Sequence, residues 1–106
     1  MVPPLATLQV IGEPHRFAIV DALRDGERPV GDLVDHLGLS QPAVSKHLRV
    51  LKDAGIVAVR SEAQRRLYRL QPEPLAELDH WLASYRRLWS DHLDRLEHHL
   101  TRGRPR

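Results

Sequence analysis

The stretch from Ser40 to Gly55, S-Q-P-A-V-S-K-H-L-R-V-L-K-D-A-G, constrains the fold more than any other part of the chain. It carries helix signals at both ends. Ser40 is a good N-cap, because its hydroxyl accepts from an orphan amide of the first turn. Pro42 suits that turn, where no intrahelical N–H is needed. Gly55 suits the left-handed residue that stops a helix. Val44, Leu48 and Leu51 recur at helical spacing and mark a buried face. Gln41, Pro42, Ser45, Lys46 and Arg49 share the opposite face. Amide, hydroxyl and cationic groups of this kind read base edges and neutralise phosphates. A solvated helix that only covers a core shows the same pattern, so the flanking sequence has to decide.

Upstream, Leu5, Leu8, Val10 and Ile11 predict a first short helix over 5–11, interrupted by Gly12. Pro14 opens a second helix, 14–24, that offers Phe17, Ile19, Val20 and Leu23 to the core. Asp25-Gly26 ends it as a turn. Residues 31–37, G-D-L-V-D-H-L, predict a third helix with Leu33, Val34 and Leu37 inward, closed by Gly38. Only Leu39 and Ser40 then precede the helix described first. Two short helices joined by a tight Gly-containing turn make a helix-turn-helix, here over 31–54.

Downstream the period changes. Ile56-Val57-Ala58-Val59-Arg60 is β-branched and short, and Leu67-Tyr68-Arg69-Leu70 is a second strand with Tyr68 and Leu70 on one face. The polar connector S-E-A-Q-R-R makes a hairpin over 56–70, a wing whose Arg60, Arg65 and Arg66 extend the reach of the helix toward a phosphate or a minor groove. Pro72 and Pro74 start a last helix, 73–100, on the order of 40 Å long. Leu75, Leu78, Leu82, Tyr85, Trp89, His92, Leu96 and His99 follow one another in alternating steps of three and four, a coiled-coil seam. Trp81, Leu88, Leu93 and Leu100 widen it. So long a stripe needs a partner surface, and a second copy supplies one. The dimer face expected on this basis is Leu5, Leu8, Leu78, Leu82, Tyr85, Trp89, His92 and Leu96.

Charge is distributed in blocks. Residues 1–39 carry net −3, 40–70 net +5 and 71–101 net −3, and Arg102, Arg104 and Arg106 form a basic tail over 101–106. A basic centre between acidic flanks directs a polyanion to one region. The 106 residues suit one domain, 1–106, and the 42% hydrophobic content suits a modest core that dimerisation would enlarge. No run of about 18 apolar residues is present, so no membrane span is expected. The start, M-V-P-P-L-A-T-L-Q, has neither a basic region nor a cleavage pattern, so no signal peptide is expected. The absence of cysteine excludes disulfides and thiolate metal sites and fits a cytoplasmic, nucleoid-associated protein.

The run S-Q-P-A-V-S-K-H-L-R-V-L-K-D-A-G-I-V at 40–57, then R-R-L-Y-R-L at 65–70, with G-E-P-H-R-F-A-I-V upstream at 12–20, resembles the ArsR-type bacterial repressors. The resemblance covers about Leu8 to Leu70, and the last helix agrees in character. It implies a mainly α fold with a small β-hairpin: a winged helix-turn-helix with a long C-terminal dimerisation helix. It implies a homodimer, with the first and last helices forming the interface and the helix at 41–54 entering the major groove of double-stranded DNA. Gln41, Ser45, Lys46, His47, Arg49, Arg60, Arg65 and Arg66 are then the DNA-binding set. One departure is Ala63, where the family's wing tip usually carries Gly, so the turn type is expected to differ.

The family's metal-sensor motifs do not match. Pro29 and Gly31 stand where the arsenic type places two thiolates. For the zinc type, eleven residues separate His80 and His92 rather than ten, Leu78 replaces the Asp, and Arg95 stands at the fourth ligand. Metal is therefore not expected to regulate the chain. Asp91, His92, Asp94, Glu97, His98 and His99 do crowd one region, and neutral imidazoles bind transition metals. The expectation is that His92 and His99 pack in the seam, that His98 is solvated, and that His36 and His47 are surface or capping residues. No cofactor motif, nucleophile elbow or phosphate loop is present, and Ser45 and His47 point apart on a helix, so no enzyme is expected. No motif assigns a small-molecule effector. The competing class is a winged-helix sensor or protein-interaction module using the C-terminal histidines. The +5 centre favours a DNA-binding transcriptional repressor on an inverted-repeat operator.

Overall fold

The computed structural model describes residues 3–103. The signals around Ser40 and Gly55 are realised as helix α4, Gln41–Asp53. The Ser40 hydroxyl accepts from the Ala43 amide at 3.3 Å. At the other end the Gly55 amide donates to the Lys52 carbonyl and the Ile56 amide to the Leu51 carbonyl, each at 2.9 Å. This is the Schellman closure, and it needs the left-handed φ of 76° that Gly55 adopts. It also turns Ile56 back beside Leu51, and both are fully buried.

Three helices precede α4: α1 Pro3–Ile11, α2 Pro14–Ala22 and α3 Val30–Leu37. Gly38, at φ 69°, ends α3, and the chain re-enters α4 after Leu39 and Ser40, as the helix-turn-helix spacing predicted. A short strand β1, Arg28–Pro29, sits between α2 and α3. Strands β2, Val57–Glu62, and β3, Arg65–Leu70, follow α4 as the expected hairpin. The sheet is antiparallel in the order β1-β3-β2, with Arg28 opposite Tyr68 and Val57 opposite Leu70. A third strand was not anticipated from the sequence. It is two residues long and contains a proline, which is tolerated at a sheet edge.

The core lies where these elements meet. Ile19, Leu33, Val44, Leu48, Leu51, Ile56 and Val57 are sealed from solvent. Each such side chain contributes roughly 1.5–3 kcal/mol on burial. Phe17 does not join them, and is 60% exposed. Its expected core role fails on helical phase: Ile19, Ala22 and Leu23 share the inward face, and Phe17 is two residues from Ile19, on the other side.

The single helix expected over 73–100 is two helices, α5 Pro72–Ala83 and α6 Arg86–Gly103. Ser84 breaks it. Its hydroxyl donates to the Trp81 carbonyl at 2.7 Å, and the Tyr85 amide reaches back only three residues, to Leu82, at 2.9 Å. A side chain that competes for a backbone carbonyl in this way loosens a helix. The Trp81 and Tyr85 rings meet edge to face across the break, 5.3 Å between centroids. The seam therefore does not run as one straight rod. Helix α5 packs on α1, which leaves Leu75 and Leu78 half-buried. Every residue from Trp81 to Leu100 is exposed. Of the expected basic tail, the backbone of 101–103 continues α6, and residues 104–106 lie outside the described residues. Among the described residues, no helix is long and apolar enough to cross a membrane.

Candidate nucleic-acid interface

Because Val44, Leu48 and Leu51 face the core, α4 turns Gln41, Ser45, Lys46 and Arg49 to solvent. Ser45, Arg49 and Lys52 follow at steps of four and three, so they lie in one line along the helix. They form one wall of a groove of about 340 Å³, and Arg66 and Tyr68 of β3 form the other. The groove thus gathers the cations of Arg49, Lys52 and Arg66, the hydroxyls of Ser45 and Tyr68 and the carboxylate of Asp53, beside a helix face carrying an amide and a further lysine. Lys52 was not in the DNA-binding set expected from the sequence. The spacing from Ser45 and Arg49 was the available signal.

The strand register sorts the wing arginines. Ser61 pairs with Arg66 and Val59 with Tyr68, so these share the face turned to α4. Arg60 pairs with Leu67 and Glu62 with Arg65, which puts Arg60 and Arg65 on the opposite face. Arg66 alone of the three therefore lines the groove, its guanidinium 6.0 Å from the Tyr68 ring centre. Arg65 is exposed at the tip, 3.5 Å from Glu62. Arg60 is tied down. Its Nε donates to both carboxylate oxygens of Glu27, at 3.1 and 3.0 Å, and its Nη2 also donates to that carboxylate. Arg60's hydrogen bonds hold the Glu27 carboxyl below the usual carboxylate range against partial burial, and the charges of Arg60 and Arg69 add to the effect. The same hydrogen bonds hold the Arg60 guanidinium above its ordinary value.

The wing tip is a two-residue loop, Ala63-Gln64, between the paired Glu62 and Arg65. Ala63 has φ 54°, the one positive φ at a non-glycine among the described residues. A positive φ at the first loop residue alone is the sign pattern of a type II′ turn. Ala63 thus holds the backbone conformation that glycine usually supplies.

His47 does not share the DNA-facing stripe. It is half-buried beside the start of α2, where its Nδ1 lies 3.7 Å from Glu13 and its ring 5.3 Å from that of His15. Glu13 is the N-cap of α2 and accepts from the Arg16 amide at 2.8 Å. Burial pushes the Glu13 carboxyl up, but hydrogen bonds from the Arg16 and His15 amides and the nearby His47 and His15 imidazoles hold it, on balance, below the ordinary range. Among the described residues, Glu13, His15 and His47 are the one set of three metal-capable side chains brought together. The acidic and histidine residues from Asp91 to His99 do not converge within the chain, and His80 and His92 stand on either side of the break at Ser84.

The residues expected at a dimer face are largely uncovered. Leu5 and Leu8 of α1, Leu82 of α5, Tyr85, and Trp89 and Leu96 of α6 are exposed apolar side chains. His92 is exposed beside them, and Leu78 is half-buried against α1.

Three comparisons bear on this geometry. The family model described as "Bacterial regulatory protein, arsR family" matches residues 13–59. The transcriptional repressor SdpR of Bacillus subtilis is 30% identical over 77 residues, covering 73% of this chain and 86% of that protein. An HTH-type transcriptional regulator of Mycobacterium tuberculosis is 46% identical over 70 residues, covering 66% of this chain and 65% of its own length. The matched stretch thus spans just under two thirds of that relative. Among solved structures, a possible transcriptional regulator for arsenical resistance superposes with a TM-score of 0.67 at 44% identity, covering 84% of this chain and 90% of the other. The named relatives are regulators of transcription, in line with a DNA-binding regulator rather than an enzyme.

Proposed function

The chain belongs to the arsR family of bacterial regulatory proteins, and on that premise we propose that it is a homodimeric transcriptional repressor that binds an inverted-repeat operator in the cytoplasm. The observation that carries this is the groove between α4 and the wing. Ser45, Arg49 and Lys52 face Arg66 across it, beside the exposed Gln41 and Lys46. In this reading α4 enters the major groove. Arg49 and Gln41 contact base edges, Lys46 and Lys52 contact phosphates, and Arg66 follows the backbone beside the site. Arg65 adds an exposed charge at the tip. Arg60 stays with Glu27 and holds the wing in place. The two helices of a dimer then meet DNA about 34–36 Å apart, one helical turn.

Footprinting on the DNA upstream of the protein's own gene tests the proposal. A protected inverted repeat whose affinity falls steeply with salt is the expected result. Equal affinity for that fragment and for unrelated DNA of the same length would remove the repressor reading.

A further inference from the structure

Glu13, His15 and His47 come from two places in the chain, 32 residues apart in sequence between His15 and His47, and no motif spacing links them. The fold brings them together because α4 packs against α2. One ligand atom from each lies within 4.8 Å of the other two. The His15 Nδ1 is 3.1 Å from one Glu13 oxygen and the His47 Nδ1 is 3.7 Å from the other. A tetrahedral ion with ligands at about 2.0–2.2 Å sets its ligand atoms about 3.3–3.5 Å apart. The two measured separations lie on either side of that value, but each is to a different oxygen of Glu13, so sharing one oxygen requires a rotation of the carboxylate. The remaining pair closes by rotation of His15, whose side chain is half exposed.

The His47 atom supplies a second observation. Its Nδ1 is shielded from solvent and has no hydrogen-bond partner among the described residues. A buried imidazole nitrogen without a partner is costly, and it is directed at a carboxylate just beyond hydrogen-bond reach. A cation between the two would satisfy both. Two imidazole nitrogens and one carboxylate suit a borderline first-row transition ion rather than magnesium or calcium.

We propose that Glu13, His15 and His47 form a binding site for a divalent transition-metal ion of the zinc type, with solvent as the fourth ligand. The site differs in position and donor set from both sensor motifs whose absence the sequence shows. It ties α4 to the start of α2. Bound metal therefore fixes the DNA-facing helix to the body of the fold and raises the thermal stability of the chain.

The test uses chelator-treated full-length protein titrated with cobalt(II) by visible absorbance and with zinc by calorimetry, in the absence of DNA. One ion per chain is expected, with the d–d absorption of four-coordinate cobalt and a higher melting temperature. His15→Ala alters an exposed residue and leaves the fold intact. Glu13→Gln keeps an acceptor for the Arg16 amide and removes the carboxylate charge. Each is expected to weaken metal binding at least tenfold while circular dichroism stays unchanged. A His92→Ala, His98→Ala, His99→Ala variant is expected to bind as the unaltered chain does. No stoichiometric uptake, undiminished uptake by both His15→Ala and Glu13→Gln, or uptake lost only in the triple variant would each overturn the site. Operator affinity of the metal-free protein, measured separately, tests the repressor proposal alone.

Discussion

Residues 14–70 and residues 72–100 use apolar side chains for opposite ends. In the first stretch Glu13 caps α2, Ser40 and Gly55 close α4, and Ile19, Leu33, Leu48 and Leu51 are sealed within the chain. In the second, α5 only half covers its leucines against α1, and α6 leaves Leu88 71% exposed with Leu93, Leu96 and Leu100 beside it. One region completes its own burial. The other leaves a row of leucines and aromatic side chains open, and contiguous exposed apolar faces mark interaction sites. Apolar content alone does not distinguish the two. What distinguishes them is whether the sequence also supplies the turns and caps that fold the face back onto the same chain.

The double change Leu82→Asp, Trp89→Asp breaks the contrast most severely. Charge placed on a closed interface is costly. Sedimentation should show a monomer, and its operator affinity should fall by about 10³-fold or more toward non-specific binding. A variant that stays dimeric with full affinity would place the interface elsewhere, with residues 5–11 the first to examine. Next in size is Leu48→Ala, which should lower stability by about 2–5 kcal/mol in urea denaturation. In the monomeric background, Leu88→Ala should change it by less than about 0.5 kcal/mol. Comparable losses at both positions would erase the distinction between the regions. Within the first region, Arg49→Ala should weaken operator binding by about 1–3 kcal/mol and relax specificity at one position. Arg66→Ala should instead reduce the salt slope by about one.

Two smaller effects sharpen the picture of the wing. Ala63→Gly removes a left-handed penalty of roughly 1–2 kcal/mol and adds about 0.5–1 kcal/mol of chain entropy, leaving a net gain of about 0.5–1 kcal/mol in thermal unfolding. The smallest effect concerns Glu27. Its carboxyl is held below the ordinary Glu value of 4.5, first by the Arg60 hydrogen bonds. The unfolded chain therefore binds the proton more readily. The contribution of the pair is present above about pH 4.5 and is lost as pH falls through the lower folded value. Glu27→Gln should remove that acid-side slope and leave the stability difference from the unaltered chain smaller at pH 3.5 than at pH 7.

Local signals made much of the first region legible. The caps of α4, the Gly38 turn and the hairpin all follow from residues within a few positions of each other, which is the range over which sequence pattern speaks. At Ala63 the alanine suggested a different turn type, yet it holds the positive φ that glycine usually supplies there. The break at Ser84 escaped notice because serine is tolerated in many helices, and the three-four stripe runs through it without a gap. Strand β1 was too short to carry a period. Phe17 is apolar but out of phase with Ile19, Ala22 and Leu23, and helical phase rather than apolar character decides which side chains of α2 turn inward. In the interface itself, Lys52 was within reach of the same spacing that found Arg49. The opposite orientations of Arg65 and Arg66 needed the strand register, and the meeting of His47 with Glu13 and His15 needed the packing of α4 on α2. Neither is encoded in neighbouring letters.

The order of the sheet has a mechanical consequence. Strand β3 is central, clasped at its root by β1 through Arg28 and Pro29 and along its length by β2. The Arg60–Glu27 pair fastens the neighbouring strand at about the height where β1 ends. Beyond that point only the pairs Ser61–Arg66 and Glu62–Arg65 and the Ala63-Gln64 loop remain. The wing is thus a cantilever, with a stiff base and a short compliant tip. Under the proposed function, a base that cannot swing keeps Arg66 in step with Arg49, while a tip that bends lets Arg65 track a groove whose width changes with the sequence beneath it.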